Sequence, residues 1–195
     1  MKKITLITSI AILFSTAALA ENVFISGPYV GIQGGLNNMH YSGGEYLLPT
    51  NNTTNTKPAM RVYGGYYINE FFALEGAYDY YGLPKIKYIP NGKEQDFTQQ
   101  GLDVTAKFII PLDYGINIFG KLGMDWVHRG ELASENGYFA AKDANNKIVP
   151  SLGIGAGYNF TMNFAGDFTW KRVLSNGSLP RMDFFSLGLT YRFVI

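Results

Sequence analysis

Apolar and aromatic side chains fall on every second residue of the closing segment, where Leu187, Leu189, Tyr191, Phe193 and Ile195 alternate with Ser186, Gly188, Thr190 and Arg192. A helix repeats its faces every 3.6 residues, so this pattern would scatter the apolar groups around it. An extended strand sends successive side chains to opposite faces, so the same pattern gives one oily face and one wet face. An oily strand closing an exported chain points to a wall that faces lipid.

Export is written at the other end. Lys2 and Lys3 form a positive start, Ile4 to Ala18 is mostly apolar, and Ala18-Leu19-Ala20 reads as a small-residue cleavage site. Residues 1–20 are therefore expected to be a cleaved signal peptide, and residues 21–195 one outer-membrane barrel domain. The apolar stretch is short for a membrane anchor. The chain has no cysteine, which excludes a disulfide framework and a lipid-modified cysteine. Removing Lys2 and Lys3 from the 16 basic residues leaves 14 against 15 acidic ones, so no nucleic-acid partner is expected. With 23 glycines, 14 tyrosines and 14 phenylalanines, the composition disfavours a helical bundle and favours strands joined by tight turns.

The period of two recurs along the chain. It runs through Val30 to Leu36, Met60 to Ile68, Phe72 to Tyr80, Leu102 to Ile110, Ile116 to Trp126, Leu152 to Phe160 and Phe164 to Trp170. With the closing segment that makes eight strands. Asn69-Glu70, Leu112 to Tyr114 and Thr161 to Asn163 are short connections. Ser42 to Lys57, Leu83 to Phe97, Arg129 to Lys147 and Ser175 to Asp183 are long and polar. Short turns alternating with long loops describe an all-β, eight-stranded antiparallel up-and-down transmembrane β-barrel, with both termini at the short-turn end. Closure pairs every backbone group, as lipid requires.

Glycines crowd the polar face (Gly31, Gly35, Gly65, Gly153, Gly155, Gly157), and large rings crowd the apolar one (Tyr66, Phe72, Tyr78, Tyr80, Trp126, Trp170, Tyr191). An eight-stranded bore is just wide enough for side chains, so these rings are expected outside, with aromatic girdles near strand ends. The opposite face then sends Arg61, Glu75, Asp79, Asp103, Lys107, Lys121, Asp125, Asp167, Lys171 and Arg192 into the lumen. Five positive and five negative groups in a thin tube read as an ion-pair network. It serves either as a polar core that holds the barrel shut or as a gate whose pairs exchange to admit small ions.

Arg61-Val62-Tyr63-Gly64-Gly65-Tyr66-Tyr67-Ile68-Asn69 running into Leu74-Glu75-Gly76-Ala77-Tyr78-Asp79-Tyr80 resembles the second hairpin of the outer membrane protein A transmembrane domain. Gln100 to Lys107 is similar to its fourth strand and Ser186 to Phe193 to its eighth, and the resemblance extends from Gly27 onward. It implies an outer-membrane barrel with an ion-pair-closed lumen, roles in envelope integrity and surface interaction, and at most a small pore. Glu75 matches a lumen carboxylate of that family, and Lys107 a lumen lysine able to pair with it. Asp167 stands in place of the family's seventh-strand arginine, and Gly157 in place of a sixth-strand glutamate. Lys121 or Arg61 is the candidate to take the arginine's part. The long members carry a second, wall-gripping domain; the chain ends at the barrel, so wall anchoring is not expected. Tyr191, Phe193 and Ile195 form the expected insertion signal, with Ile195 where the family carries an aromatic residue.

The implied partners are lipopolysaccharide and phospholipid, the barrel-insertion machinery, and a host or surface ligand at the loops. A monomer is expected. Two other functions stay open at this point. One is a surface adhesin acting through the long loops. The other is a lipid A- or phospholipid-modifying enzyme, for which His40, His128, Ser42, Ser134 and Glu131 near the long-loop end are the raw material without a motif spacing. No catalytic, metal or cofactor site is expected, since no cluster has metal-ligand spacing and Gly31 to Gly35 lies inside a strand.

Overall fold

The computed structural model describes residues 26–40, 54–82, 85–87, 94–96, 98–129, 145–174 and 179–193. Its strands are β1 (Gly27–His40), β2 (Thr54–Asn69), β3 (Phe72–Tyr80), β4 (Lys85–Lys87), β5 (Glu94–Asp96), β6 (Gln99–Pro111), β7 (Ile116–Arg129), β8 (Asn145–Asn159), β9 (Phe164–Val173) and β10 (Arg181–Arg192). Eight of them close into a barrel in the order β1-β10-β9-β8-β7-β6-β3-β2. Strands adjacent in the wall are antiparallel, and β1 seals against β10 from Tyr29 opposite Arg192 to His40 opposite Arg181. The pair β4–β5 is a separate small ladder inside the expected 83–97 loop. The wall strands also run further toward the loops than the apolar alternation alone marks. There β1 reaches His40, β2 begins at Thr54, and β10 begins at Arg181.

Local chemistry fixes the three short connections. After β2, the Phe71 amide donates to Asn69 Oδ1 at 2.9 Å. Between β6 and β7, residues Asp113–Gly115 make one 3-10 turn, with Tyr114 at φ 60° and Gly115 at φ 75°, and the Leu112 amide donates to the Ile116 carbonyl at 2.8 Å. Glycine at the second of these left-handed positions carries no Cβ penalty. Between β8 and β9, Thr161 Oγ1 accepts from the Phe164 amide at 3.0 Å. The start of β1 and the end of β10 meet at this same edge, where the Phe193 amide donates to the Pro28 carbonyl at 3.0 Å.

The alternation sorts side chains as expected. Val30, Ile32, Leu36, Val62, Tyr66, Leu74, Leu102, Val104, Leu122, Trp126, Ile154, Leu187 and Leu189 lie on the outer surface, while Arg61, Glu75, Asp79, Asp103, Lys107, Lys121, Asp125 and Lys171 are buried inside. An outside this apolar with an inside this charged suits a wall immersed in hydrocarbon.

Tyr66, Tyr78, Trp126 and Tyr191 lie outside as expected, but the bore also holds large rings, which the sequence reading did not place there: Tyr29, Tyr63, Tyr67, Tyr81, Phe119 and Phe184 are all buried. Glycines make room for three of them. A Cβ on Gly31 would strike the ring of Tyr63, one on Gly65 the ring of Tyr29, and one on Gly155 the ring of Phe119. Those glycines are recesses in the inner wall, each filled by a ring from the neighbouring strand.

Candidate functional site

The lumen is built in three layers. At the loop end, Met39, Tyr81, Val127, Val149, Val173, Leu179 and Met182 pack into an apolar lid. At the turn end, Tyr29, Tyr63, Tyr67, Ala73, Ala77, Ile109 and Phe119 form a second apolar cluster. The ion pairs lie between them, shielded from water on both sides.

Arg61, on β2, is the hub of that middle layer. Its Nη2 donates to Glu75 Oε1 at 2.8 Å and to Asp103 Oδ1 at 3.1 Å. Its Nη1 donates to Asp103 Oδ2 at 2.7 Å and to Asp79 Oδ2 at 3.0 Å. A guanidinium meets three carboxylates at once here, with both terminal nitrogens forked onto Asp103. Lys121, on β7, donates to the same Glu75 oxygen at 2.8 Å, and the Tyr29 hydroxyl donates to the other at 3.1 Å. Lys121 and Arg61 therefore share Glu75, so both candidates for the missing arginine's place sit on that carboxylate.

Asp79, Asp103 and Asp125 converge, with one carboxylate oxygen from each within 4.8 Å of the others. Lys171, on β9, puts its ammonium among them, at 2.7 Å from Asp79, 2.6 Å from Asp103 and 2.7 Å from Asp125. The Tyr81 hydroxyl adds a donor to Asp125 at 2.6 Å. A lysine thus stands where three carboxylates would otherwise gather a cation. Among the described residues, the buried lumen charges balance: Arg61, Lys107, Lys121 and Lys171 against Glu75, Asp79, Asp103 and Asp125. Balance matters because an unpaired ion in such a site costs several kcal/mol.

Three expected members stand apart from this network. Lys107 lies 4.1 Å from the Phe119 ring centre and 6.0 Å from that of Tyr67, and among the described residues no carboxylate is within ion-pair distance of it. The Glu75–Lys107 pairing that the family resemblance implied is thus replaced by Glu75 with Arg61 and Lys121. The ring recess opened by Gly155 brings Phe119 to the lysine instead. Asp167 accepts from Gln33 Nε2 at 2.6 Å and from Thr169 Oγ1 at 2.8 Å rather than joining an ion pair. Arg192 donates to Asn159 Oδ1 at 2.6 Å and lies 5.0 Å from the Tyr67 ring centre, at the turn end. Gln33, Tyr29 and Tyr81 belong to the site although the sequence reading did not single them out. The available signal was a polar or phenolic residue on the same parity as the charges.

At the turn end, outward rings step along the wall: Phe164 to Tyr191 at 5.1 Å and Tyr191 to Phe193 at 5.0 Å. This is the described part of the expected insertion signal; Ile195, like the expected cleavage residues Ala18 and Ala20, lies outside the described residues. Ser42, Glu131 and Ser134 also lie outside them. His40 on β1 bonds Asp183 at 3.0 Å, and His128 on β7 bonds Asn146 at 2.6 Å. The strand order sets β1 and β7 on opposite sides of the barrel, so the two histidines do not converge.

Comparison with known proteins agrees with this architecture. The family model for the OmpA-like transmembrane domain matches residues 26–194. An uncharacterized protein of Coxiella burnetii is 27% identical over 82% of this chain and 78% of its own length. Outer membrane protein A of Shigella flexneri is 27% identical over 99% of this chain and 56% of its own length, so the chain spans a little more than half of that relative. Among solved structures, Neisserial surface protein A superposes with a TM-score of 0.61 at 15% identity, covering 87% of this chain and 99% of that one. Ail of Yersinia pestis, in complex with the heparin analogue sucrose octasulfate, superposes with a TM-score of 0.56 at 15% identity, covering 86% and 99%. With a closed eight-stranded wall, an apolar exterior and a family match over nearly every residue of that wall, the chain belongs to the OmpA-like transmembrane domain family of the bacterial outer membrane.

Proposed function

We propose that the protein is a non-enzymatic, monomeric structural and surface-interaction barrel whose lumen is plugged, with at most a narrow, rarely open pore. Lipopolysaccharide and phospholipid surround it, the barrel-insertion machinery delivers it, and the loops present its contact surface. The observation that carries this reading is the filled bore. A buried ion-pair layer centred on Arg61 and Lys171 lies between two apolar clusters. An ion crossing it must displace both apolar layers and break charge-assisted bonds in a medium where each is strong. Exchange of pairs within the middle layer would leave the lids in place, which favours the plug over the gate.

Planar-bilayer recording of the refolded mature protein tests this. The expected record is a quiet membrane with brief, small openings. Steady conductance in every insertion, on the scale of a wide porin, would overturn the plug. Mass spectrometry of lipid A from cells with and without the gene tests the enzymatic alternative, and identical acyl-chain patterns are expected.

A further inference from the structure

Outside the barrel, at the loop end, β1, β10 and β9 carry a compact polar cluster that the closed lumen leaves unexplained. His40, Arg172, Arg181, Trp170 and Asp183 share the outward parity of their strands. Arg181 is paired in register with His40, and Asp183 with Arg172. Asp183 is the centre. Arg172 Nε donates to its Oδ1 at 2.7 Å and Arg172 Nη2 to its Oδ2 at 3.1 Å. The Trp170 indole donates to Oδ1 at 3.1 Å, His40 Nε2 lies 3.0 Å from Oδ2, and Arg181 Nε lies 3.9 Å away. Trp170 also lies 4.9 Å from the Arg172 guanidinium, which fixes that plane against the wall. Only 6% of the Asp183 side chain is exposed, against 31% for Arg172 and 46% for Arg181. One hidden carboxylate thus holds two exposed guanidiniums and an imidazole, and the patch is positive. Among the described residues, no bond engages Arg172 Nη1 or either Nη atom of Arg181.

Height decides what such a patch meets. From Phe193 to Phe185 the outward residues along β10 are rings and leucines, and those beside them on β1 and β9 are apolar. Eight residue steps at about 3.4 Å, tilted by about 40°, span roughly 21 Å, and two more steps put Asp183 at roughly 26 Å, where an apolar band about 25 Å tall ends. The loop end is the outer side of an outer-membrane barrel, so the cluster sits at headgroup level of the outer leaflet. On the opposite wall at a similar height, Tyr78 donates to Gln100 at 2.7 Å and His128 is bonded to Asn146, with no outward Arg or Lys among the described residues there.

We propose that this cluster is a binding site for a phosphate group of an outer-leaflet glycolipid, with Arg181 and the open Nη1 of Arg172 donating to the phosphate oxygens. Asp183 acts as a positioning residue that holds both guanidiniums toward the leaflet, and Trp170 covers the sugar–acyl boundary. Guanidiniums match phosphate oxygens with paired, charge-assisted bonds. This site does not depend on whether the lumen is open or closed.

The mature chain has two tryptophans, Trp126 and Trp170, so Trp126→Phe leaves Trp170 as the only indole reporter. The refolded Trp126→Phe barrel in zwitterionic detergent is titrated with diphosphoryl lipid A, with the same lipid stripped of phosphate, and with inorganic phosphate. A saturable change in Trp170 emission is expected with diphosphoryl lipid A, and about ten- to a hundredfold weaker binding with the stripped lipid. Arg181→Gln is expected to weaken diphosphoryl lipid A binding about tenfold. Arg172→Gln should weaken it further, and His128→Gln on the opposite wall should leave it unchanged. Arg181 is the decisive variant because its exposed side chain bears little on folding, which heat-shifted migration on a cold detergent gel verifies. Equal binding of stripped lipid overturns the proposal, as does an Arg181→Gln barrel that binds like the parent. Inorganic phosphate reproducing the emission change at lipid concentrations would also overturn it, since the site would then serve a soluble anion.

Discussion

The ring of Tyr63 fills the recess left by the missing side chain of Gly31, its partner across the β1–β2 ladder. From there the Tyr63 hydroxyl reaches Thr190 on β10 at 2.7 Å, so one glycine lets a β2 residue bond across β1 to the strand beyond it. Gly31→Val is expected to push the ring out, break that bond and lower unfolding stability by about 1–3 kcal/mol. Gly34, three residues along β1, has nothing within 4 Å of where its Cβ would stand. Gly34→Ala is the control and should cost under about 0.5 kcal/mol. Urea titration followed by tryptophan emission in lipid vesicles measures both. Equal losses would mean that the recess carries no packing.

Arg61→Met should be far more damaging than its size suggests. It leaves Glu75, Asp79 and Asp103 with only Lys121 and Lys171 as counter-charges within ion-pair distance. Stranding buried charge in this way costs about 3–5 kcal/mol. Arg61→Lys should recover only part of it, since a single ammonium cannot reproduce the paired bonds to Asp103 while also reaching Glu75 and Asp79. The urea midpoint of the two variants against the parent reads this out, and full rescue by lysine would show that point charge alone suffices.

The parity of nearly every wall residue was legible in the sequence, because a period of two is local and Leu187 to Tyr191 or Val30 to Leu36 display it without help from other strands. The register was not. That Arg61 lies beside Glu75 and Asp103, or Arg172 beside Asp183, depends on how strands shear past one another, which single segments do not record. The inward rings were hidden for another reason. Tyrosine suits both faces, so Tyr63 and Tyr67 inside look no different in sequence from Tyr66 and Tyr78 outside. The Gly155 recess that draws Phe119 over Lys107 likewise needs the β7–β8 register before it can be seen. Lys107 therefore matched a family lysine by position while meeting a ring instead of the carboxylate.

Glu75→Ala separates the plug from a gate. Arg61 and Lys121 lose their shared acceptor, and the Tyr29 hydroxyl loses its own. A stability loss of about 3–5 kcal/mol is expected. The apolar lid around Met39, Val127, Val149 and Met182 remains, as does the Tyr67–Phe119 end, so conductance should stay as quiet as the parent's. A variant with normal stability and a steady channel in planar bilayers would make Glu75 a gate rather than a strut.

Salt should leave the middle layer untouched. Ions screen exposed charges over about 10 Å at 0.1 M and about 3 Å at 1 M, but they do not enter a bore packed at both ends. Raising sodium chloride across that range should move the stability difference between the parent and Arg61→Met by less than about 0.5 kcal/mol. A large salt-dependent loss would place water and ions in contact with the network.

The closing rings are expected to act in assembly more than in the finished fold. Phe193 lies just past β10 and is 42% exposed, so its ring meets lipid and the edge of Tyr191 rather than any core. Truncating it removes one aromatic contact, worth about 0.5–1.5 kcal/mol, and little packing. Recognition by an insertase would instead read the outward rings of the last strand while it is still an unpaired edge, before β1 seals against it. Phe193→Ala should therefore slow folding into vesicles that contain the insertion machinery several-fold more than folding into bare thin bilayers, where only hydrophobic insertion operates. Cold-gel migration over time gives both rates. An equal slowing in the two vesicle types would mean that Phe193 serves the membrane interface alone and carries no signal.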